Sequence, residues 1–423
     1  MKQVAGDRLT TRFEDPDARD GALGRELKEK YGFGPQIASL FDPRPFWFYM
    51  VLEGNGDAVQ VPLPAELDRN ATKRSIYAAL QRLAPGFLKT IAVVKPQAFG
   101  PDAKRYSVLT ETLEENTRIR ETDLADGRVP ADVDLLLVLS PENLDETQLF
   151  AIDQFLMQGG SLVLATSPFD AAVSETLTAS QQASGLEDWL AHHGLSIEDS
   201  MVLDPQNAAL PVPVQRYIGR LAIQEIRMLP YPHFPDIRGE GLNADNPITS
   251  ALGQVNLNWA SPITVDEEKN GERSVTPLLR SSTESWISGD LNIMPDYRAW
   301  PQTGFAPGDE RGRQLLAVAV EGRFESYFQG KDSPLARPPE QDQETETTAD
   351  QPDSDSAETS DAEAGGEAAS GPITSVIERS PDTARIILVA SNTFADDSVL
   401  GLASEGLGTL YIRPVEFLQN AID

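Results

Sequence analysis

Apolar positions along this chain recur with two periods, and each period predicts a different element. Leu149, Ile152, Phe155 and Leu156 recur at spacings of three and four, which puts them on one face of a helix. Asp145 is placed to cap that helix, and Gln148, three residues on, completes a capping box. Gly159 or Gly160 ends it, because glycine takes the left-handed conformation that stops a helix, and Ser161 to Ala165 then reads as a buried strand. Phosphate cradles need the opposite order, in which a strand leads through glycines into a helix whose free N–H groups face the anion. This stretch therefore reads as scaffold and not as a dinucleotide site.

The same two periods organise the rest of the chain. Thr90 to Val94, Val133 to Leu139 and Ala384 to Ala390 are apolar runs of strand length, and Tyr106, Leu109 and Leu113 mark a helix between the first two. Strands alternating with helices predict an α/β fold with a doubly wound, mostly parallel sheet joined by right-handed crossovers. That sheet draws on residues 89 to 168 and takes its last strand from 384 to 391. Residues 196 to 330 are rich in proline and in short alternating segments such as Ile263-Thr264-Val265 and Leu315 to Val320, which predicts a β- and loop-rich elaboration. The first 66 residues read as a partial N-terminal α/β unit, with a helix around Gly24 to Tyr31 and an aromatic strand from Phe46 to Leu52. The expected organisation is this unit at 1–66, the core with its elaboration at 67–330, an acidic loop at 331–380, and a returning strand at 381–423.

Composition changes this picture in three places. The chain has 423 residues, 40% of them hydrophobic, enough for a sizeable core. Its formal charge of -31 repels nucleic acid, so no nucleic-acid partner is expected. About a third of that charge comes from eleven acids between Glu340 and Glu367, a stretch without Lys or Arg, which predicts a disordered insertion. The absence of cysteine excludes disulfides, thiolate metal sites and a cysteine nucleophile. No apolar run approaches the ~20 residues that span a bilayer, and the first residues lack the pattern of a signal peptide.

Candidate chemistry is sparse. His192, His193 and His233 are the three histidines, and none lies in a ligand spacing such as HExxH, so no metal and no cofactor is expected. No nucleophile elbow of the G-x-S-x-G type follows a strand, so no catalytic residue is assigned. Ser140, Thr166, Ser167, Asp170, Ser391 and Asn392 lie at strand ends, where ligands of open α/β sheets bind, and they are the candidate ligand or partner contacts. The same residue types serve as caps and turn formers, so both readings stand. Abundant carboxylates, with Trp259, Trp286, Tyr297 and Trp300 as exposed aromatics, motivate a carbohydrate-binding or carbohydrate-active alternative. A nucleotide or flavin binder on the sheet is a further alternative.

Several segments, in their order, resemble one family. They are Phe13-Glu14-Asp15-Pro16-Asp17, Leu135 to Pro141 leading into Asp153-Gln154-Phe155-Leu156-Met157-Gln158-Gly159-Gly160, and Val202-Leu203-Asp204-Pro205-Gln206-Asn207. Pro230-Tyr231-Pro232, Ala260-Ser261-Pro262, Thr276-Pro277-Leu278-Leu279 and Gly322 to Phe328 continue the series. Together they resemble GldG-like auxiliary components of ABC-2-type export systems, first associated with bacterial gliding motility. The resemblance covers nearly the whole chain. It implies a glutamine-amidotransferase-like α/β domain without a catalytic cysteine, and a non-enzymatic role. It also implies ABC-2-type permease and ATPase subunits as partners, a periplasmic cargo, and a position on the periplasmic side of the inner membrane. Membrane anchors before and after the domain belong to the same expectation, with residues 414 to 423 read as the approach to the second. Where many relatives carry an acidic turn after the last strand, this chain reads Ala390-Ser391-Asn392-Thr393.

Overall fold

Uninterrupted apolar runs become strands buried on both faces. The computed structural model describes residues 10–31, 33–39, 42–54, 57–61, 69–83, 88–97, 100, 103–173, 177–218, 221–336 and 376–422. The first part carries helix α1 (Ala18–Tyr31), the strand pairs β1 (Gln36–Ser39) with β2 (Asp42–Phe46) and β3 (Val51–Gly54) with β4 (Asp57–Gln60), and helix α2 (Arg69–Leu83). The core follows with β5 (Thr90–Val94), α3 (Ser107–Glu114), β6 (Arg118–Glu121), β7 (Leu135–Leu139), α4 (Glu146–Met157) and β8 (Ser161–Ala165). Next come β9 (Phe169–Val173), β10 (Leu177–Gln181), α5 (Glu187–His192), β11 (Leu195–Ile197), β12 (Met201–Leu203), β13 (Asn207–Ile218), β14 (Leu221–Arg238), β15 (Gln254–Asn256) and β16 (Ile263–Val265). The last elements are β17 (Ser274–Arg280), β18 (Trp286–Ser288), β19 (Leu315–Glu321), β20 (Arg385–Val389), α6 (Asp397–Leu407) and α7 (Arg413–Ile422).

Seven strands form the central sheet in the order β17-β19-β20-β8-β7-β5-β6. The five from β20 to β6 are mutually parallel, and β19 runs antiparallel to both its neighbours. Side chains alternate across the sheet. Leu135, Leu137 and Leu139 pack with α3, α6 and α7 on one face, whereas Leu136 and Val138 pack with α4 and α5 on the other. The fold is thus mixed α/β with a mostly parallel central sheet and helices on both faces.

Two expectations change here. Leu315 to Val320 is part of the central sheet and not of the elaboration, because a run apolar at successive positions needs cover on both faces. Strand β20 accordingly lies inside the sheet, between β8 and β19, and not at its end. Nor is Phe46 to Leu52 one strand: β2 ends at Phe46 and β3 starts at Val51. The residues between are held by side chains, since the Trp47 indole donates to Asp17 at 3.0 Å and the Tyr49 ring stacks on Phe33 at 4.1 Å.

Helix α4 forms as its sequence predicts. Asp145 and Gln148 make the reciprocal capping box, and Gly159 leaves the helix with φ 87°. Gly160 is needed for a different reason, because a Cβ there would collide with the Phe155 ring. The eleven acids from Glu340 to Glu367 lie outside the described residues. Both flanks of that segment are built into the fold: Leu335 packs on Gly127, and buried Ile377 donates its N–H to the Gln154 side chain at 2.7 Å. Among the described residues no helix is long and apolar enough to cross a membrane.

Candidate functional site

The carboxyl ends of β7, β8 and β20 bring Ser140, Thr166, Ser167, Ser391 and Asn392 to one edge of the sheet, all of them buried. Asn392 accepts from the Ser167 N–H at 3.1 Å and donates to the carbonyls of Ser167 and Phe169 at 2.7 and 2.8 Å. The Ser167 and Ser261 hydroxyls lie 3.1 Å apart, and Ser391 donates to the Asn258 carbonyl at 2.7 Å. The N–H of Ser261 donates to Ala390, and that of Ser140 to Ala165. Segment 258–261, from the β-rich part, is therefore fastened across the strand ends. Three non-glycine residues with left-handed backbones, Ser140, Trp259 and Ala395, flank this joint. Such conformations persist where the surrounding structure over-determines them.

Two of the strand-end residues behave differently. Asp170 lies apart from the joint, in an ion pair with Lys104 at 2.6 Å. The Thr166 hydroxyl is buried without a hydrogen-bond partner among the described residues.

The residue pattern did not reveal a cavity of about 690 Å³ beyond the ends of β5 and β6. Lys95, Lys104, Arg105, Thr110, Glu121 and Asp123 are among the residues that line it. It lies on the β6 side of β5, next to but not in the crevice between β5 and β7, where the strand order reverses and ligands of open α/β sheets usually bind. Its charges are largely matched within the protein. Lys95 pairs with Glu121 at 2.6 Å, and the first N–H groups of α3 donate to Asp397 at 2.9 and 3.1 Å. An anion arriving there would have to displace a carboxylate from the helix start.

A third cluster contains the residue types of a catalytic triad. Asp153, His193 and Ser326 are each 0% exposed. The Asp153 carboxylate accepts from Ser326 Oγ at 2.6 Å, from Gln154 Nε2 and the Tyr327 N–H at 3.0 Å, and from Trp189 Nε1 at 3.1 Å. Burial raises its pKa, and these bonds pull it back. His193 Nε2 is 4.0 Å away, and burial holds the ring neutral, so the two form neither a hydrogen bond nor an ion pair. A triad needs the imidazole between acid and hydroxyl. Here the hydroxyl bonds the acid directly, and the imidazole packs among Trp189, His192 and Phe324.

The motif segments quoted above meet one another. Asp153 of the DQF segment bonds Ser326 and Tyr327 of the GRFESYF segment. Asn207 of VLDPQN accepts from the Tyr231 N–H of PYP at 2.8 Å, and the Asp204 N–H donates to Pro232. Asp204 also receives the N–H and hydroxyl of Ser282 at 2.7 and 2.6 Å. Ser261 of the ASP segment reaches Ser167. These residues join distant stretches of chain.

The histidines and tryptophans need one correction. Trp259 and Trp286 are each 2% exposed and belong to the interior, so the aromatic surface imagined for a carbohydrate is not assembled. Tyr297 is half-buried with its hydroxyl on the Pro230 carbonyl, and Trp300 alone of the four is exposed. His192 bonds the Glu325 carbonyl, while His233 lies buried against Tyr231 and Phe305. Among the described residues no three His, Asp or Glu side chains group as for a metal ion.

The fold and its joints define a mixed α/β protein whose mostly parallel sheet carries a β-rich elaboration fastened over its strand ends. The chain belongs to the family described as ABC-type uncharacterized transport system, whose model matches residues 88–421, and so to the auxiliary components of such systems. An uncharacterized protein of Borreliella burgdorferi is 21% identical over 241 residues, 57% of this chain; the chain spans only 43% of that relative's length. Two solved structures described as thua-like proteins, from Bacteroides uniformis and Parabacteroides merdae, are each 10% identical. The first is matched over 55% of this chain and 76% of its own, the second over 55% and 75%, each with a TM-score of 0.28.

Proposed function

We propose that this chain is the extracytoplasmic domain of an ABC-2-type export system's auxiliary protein, with a non-enzymatic role that couples the transporter to a periplasmic cargo or partner. Membership in a transport family supports the transporter part of this reading. The observation that carries the non-enzymatic part is the use made of the strand ends: Ser167, Ser391 and Asn392 bond protein groups, and Asp170 pairs with Lys104. The cluster of Asp153, His193 and Ser326, which has the residue types of a triad, is closed to solvent and wired in the wrong order.

Affinity purification of the full-length protein from its native membranes tests the reading. The expected result is co-enrichment of a permease and an ATPase subunit. Purification without either overturns the transporter assignment. Protease protection in intact spheroplasts checks the compartment, and cleavage of the domain from outside is the expected outcome.

A further inference from the structure

Strands β13 and β14 form a long antiparallel ribbon, paired without interruption from Ala209↔Pro230 to Ile218↔Leu221. Its two edges differ. Proline lacks the N–H that a hydrogen-bonded ladder position supplies, so Pro211 and Pro213 occupy the positions whose backbone faces away from β14. They remove two successive donors from the outer edge of β13, a common protection against strand addition. By the same alternation, residues 224, 226 and 228 of β14, opposite or in step with those prolines, point their N–H and carbonyl groups away from β13. Among the described residues no strand pairs with β14 there; β15 joins it only at Asp236 to Arg238. The open stretch ends at Pro230, which has no N–H and whose carbonyl already accepts the Tyr297 hydroxyl at 2.6 Å. Ile223, Ile226 and Met228 are 40%, 49% and 41% exposed along it.

We propose that two copies of this chain pair along this edge, β14 against β14, antiparallel about a two-fold axis at Ile226. The register follows from charge. With the axis at Ile226, Glu225 of one copy faces Arg227 of the other, twice, and Ile223 faces Leu229. An axis at residue 225 would set Glu225 against Glu225, and one at residue 227 would set Arg227 against Arg227. Like charges directly opposite are destabilising, and opposite charges are favourable. An axis at residue 224 places Ile223 against Glu225 and forms no pair of opposite charges across the seam. The Ile226 register also makes residues 224 and 228 of the two copies face each other, so outward donors meet outward acceptors, for about six backbone hydrogen bonds, two per bonded pair. The product is a four-stranded ribbon whose outer edges are both β13, blocked by Pro211 and Pro213. The assembly therefore closes at two copies and does not grow into a fibre.

Sedimentation equilibrium of the chain over a range of concentrations tests this. We expect a reversible dimer of twice the chain mass. Glu225→Arg and Arg227→Glu, each made alone, should raise the dissociation constant by roughly tenfold or more, since each turns two attractive pairs into two repulsive ones. The two together restore complementarity and should return it to near the parent value. A second measurement uses the absence of cysteine from the chain. Ile226→Cys would place its only thiol beside its own counterpart, within disulfide range, and should cross-link under mild oxidation. Ile223→Cys would stand roughly 20 Å from its counterpart in this register and should not. All variants must keep the parent circular dichroism and melting temperature, as exposed edge positions allow. A monomer at every concentration overturns the proposal. So does a dimer indifferent to the single charge reversals, one not rescued by the double reversal, or equal cross-linking at the two thiol positions.

Discussion

Ser326 Oγ donates to Asp153 at 2.6 Å across a separation of 173 residues, and so ties the middle of α4 to the segment that follows β19. Neither residue is exposed, and the same carboxylate receives Trp189 from α5. A carboxylate with its acceptor sites filled by four protein donors holds three elements in register.

Replacing Asp153 should therefore cost stability. Asp153→Ala leaves the Trp189 and Tyr327 N–H groups buried and unmatched, and Asp153→Asn turns an amide donor toward at least one of its present donors. Each should destabilise by about 3–5 kcal/mol, and Ser326→Ala by about 1–2 kcal/mol. Urea unfolding monitored by tryptophan fluorescence gives the values. A loss below 1 kcal/mol for Asp153→Ala would show that the network adds little.

Asn392 fastens the strand-end joint through three bonds to Ser167 and Phe169. Asn392→Ala should destabilise by roughly 2–4 kcal/mol, because the Ser167 N–H and two carbonyls lose their partner inside the protein. Asn392→Asp should be at least as harmful, since a carboxylate cannot donate to those carbonyls. If either variant melts like the parent, the bonds from Asn392 to Ser167 and Phe169 add little to the hold between the ends of β8 and β20.

Acid should destabilise the protein through its buried histidines. Burial pushes His233 down to about 3 and holds His193 well below its ordinary range. Between the ordinary histidine pKa of about 6.5 and these lowered values, the unfolded chain binds protons that the folded chain does not. Stability is therefore lost as pH falls through about 6.5, by at most about 1.4 kcal/mol per pH unit for each ring. His233→Phe, which keeps an aromatic ring against Tyr231 and Phe305, should have a shallower decline than the parent between pH 6.5 and 4. Parallel slopes in melting experiments would show that His233 does not contribute.

Removing residues 338 to 370 should leave the fold in place. Leu335 packs on Gly127 beside Thr147, and Ile377 bonds Gln154, about 10 Å further along α4 by helix rise. The eight residues left between them, 336, 337 and 371 to 376, reach up to about 28 Å. Loop-closure entropy changes by only about 0.6 kcal/mol per doubling of length. Differential scanning calorimetry should find the melting temperature within about 5 °C of the parent. A larger fall would mean that the acidic segment packs on the body of the protein.

What the sequence determined by itself is what neighbouring residues decide. The capping box of Asp145 and Gln148, the helix stop at Gly159 and the strand at Ser161 to Ala165 are settled within a few residues of backbone geometry and hydrogen bonding. Uninterrupted apolar runs likewise announced β5, β7, β8 and β20 as buried parallel strands. Tertiary structure alone decided the placement of Leu315 to Val320 beside β20, since an apolar run does not carry the name of its neighbour. It also decided that Trp259 and Trp286 are interior, because a tryptophan suits a core or a surface and only packing chooses between them. The candidate site divides in the same way. Ser140, Thr166, Ser167, Ser391 and Asn392 were legible as polar strand ends. That Ser167 and Asn392 bond each other, and that Ser167 and Ser391 reach segment 258–261, depends on hydrogen bonds spanning from 94 to 225 residues, which no local pattern encodes.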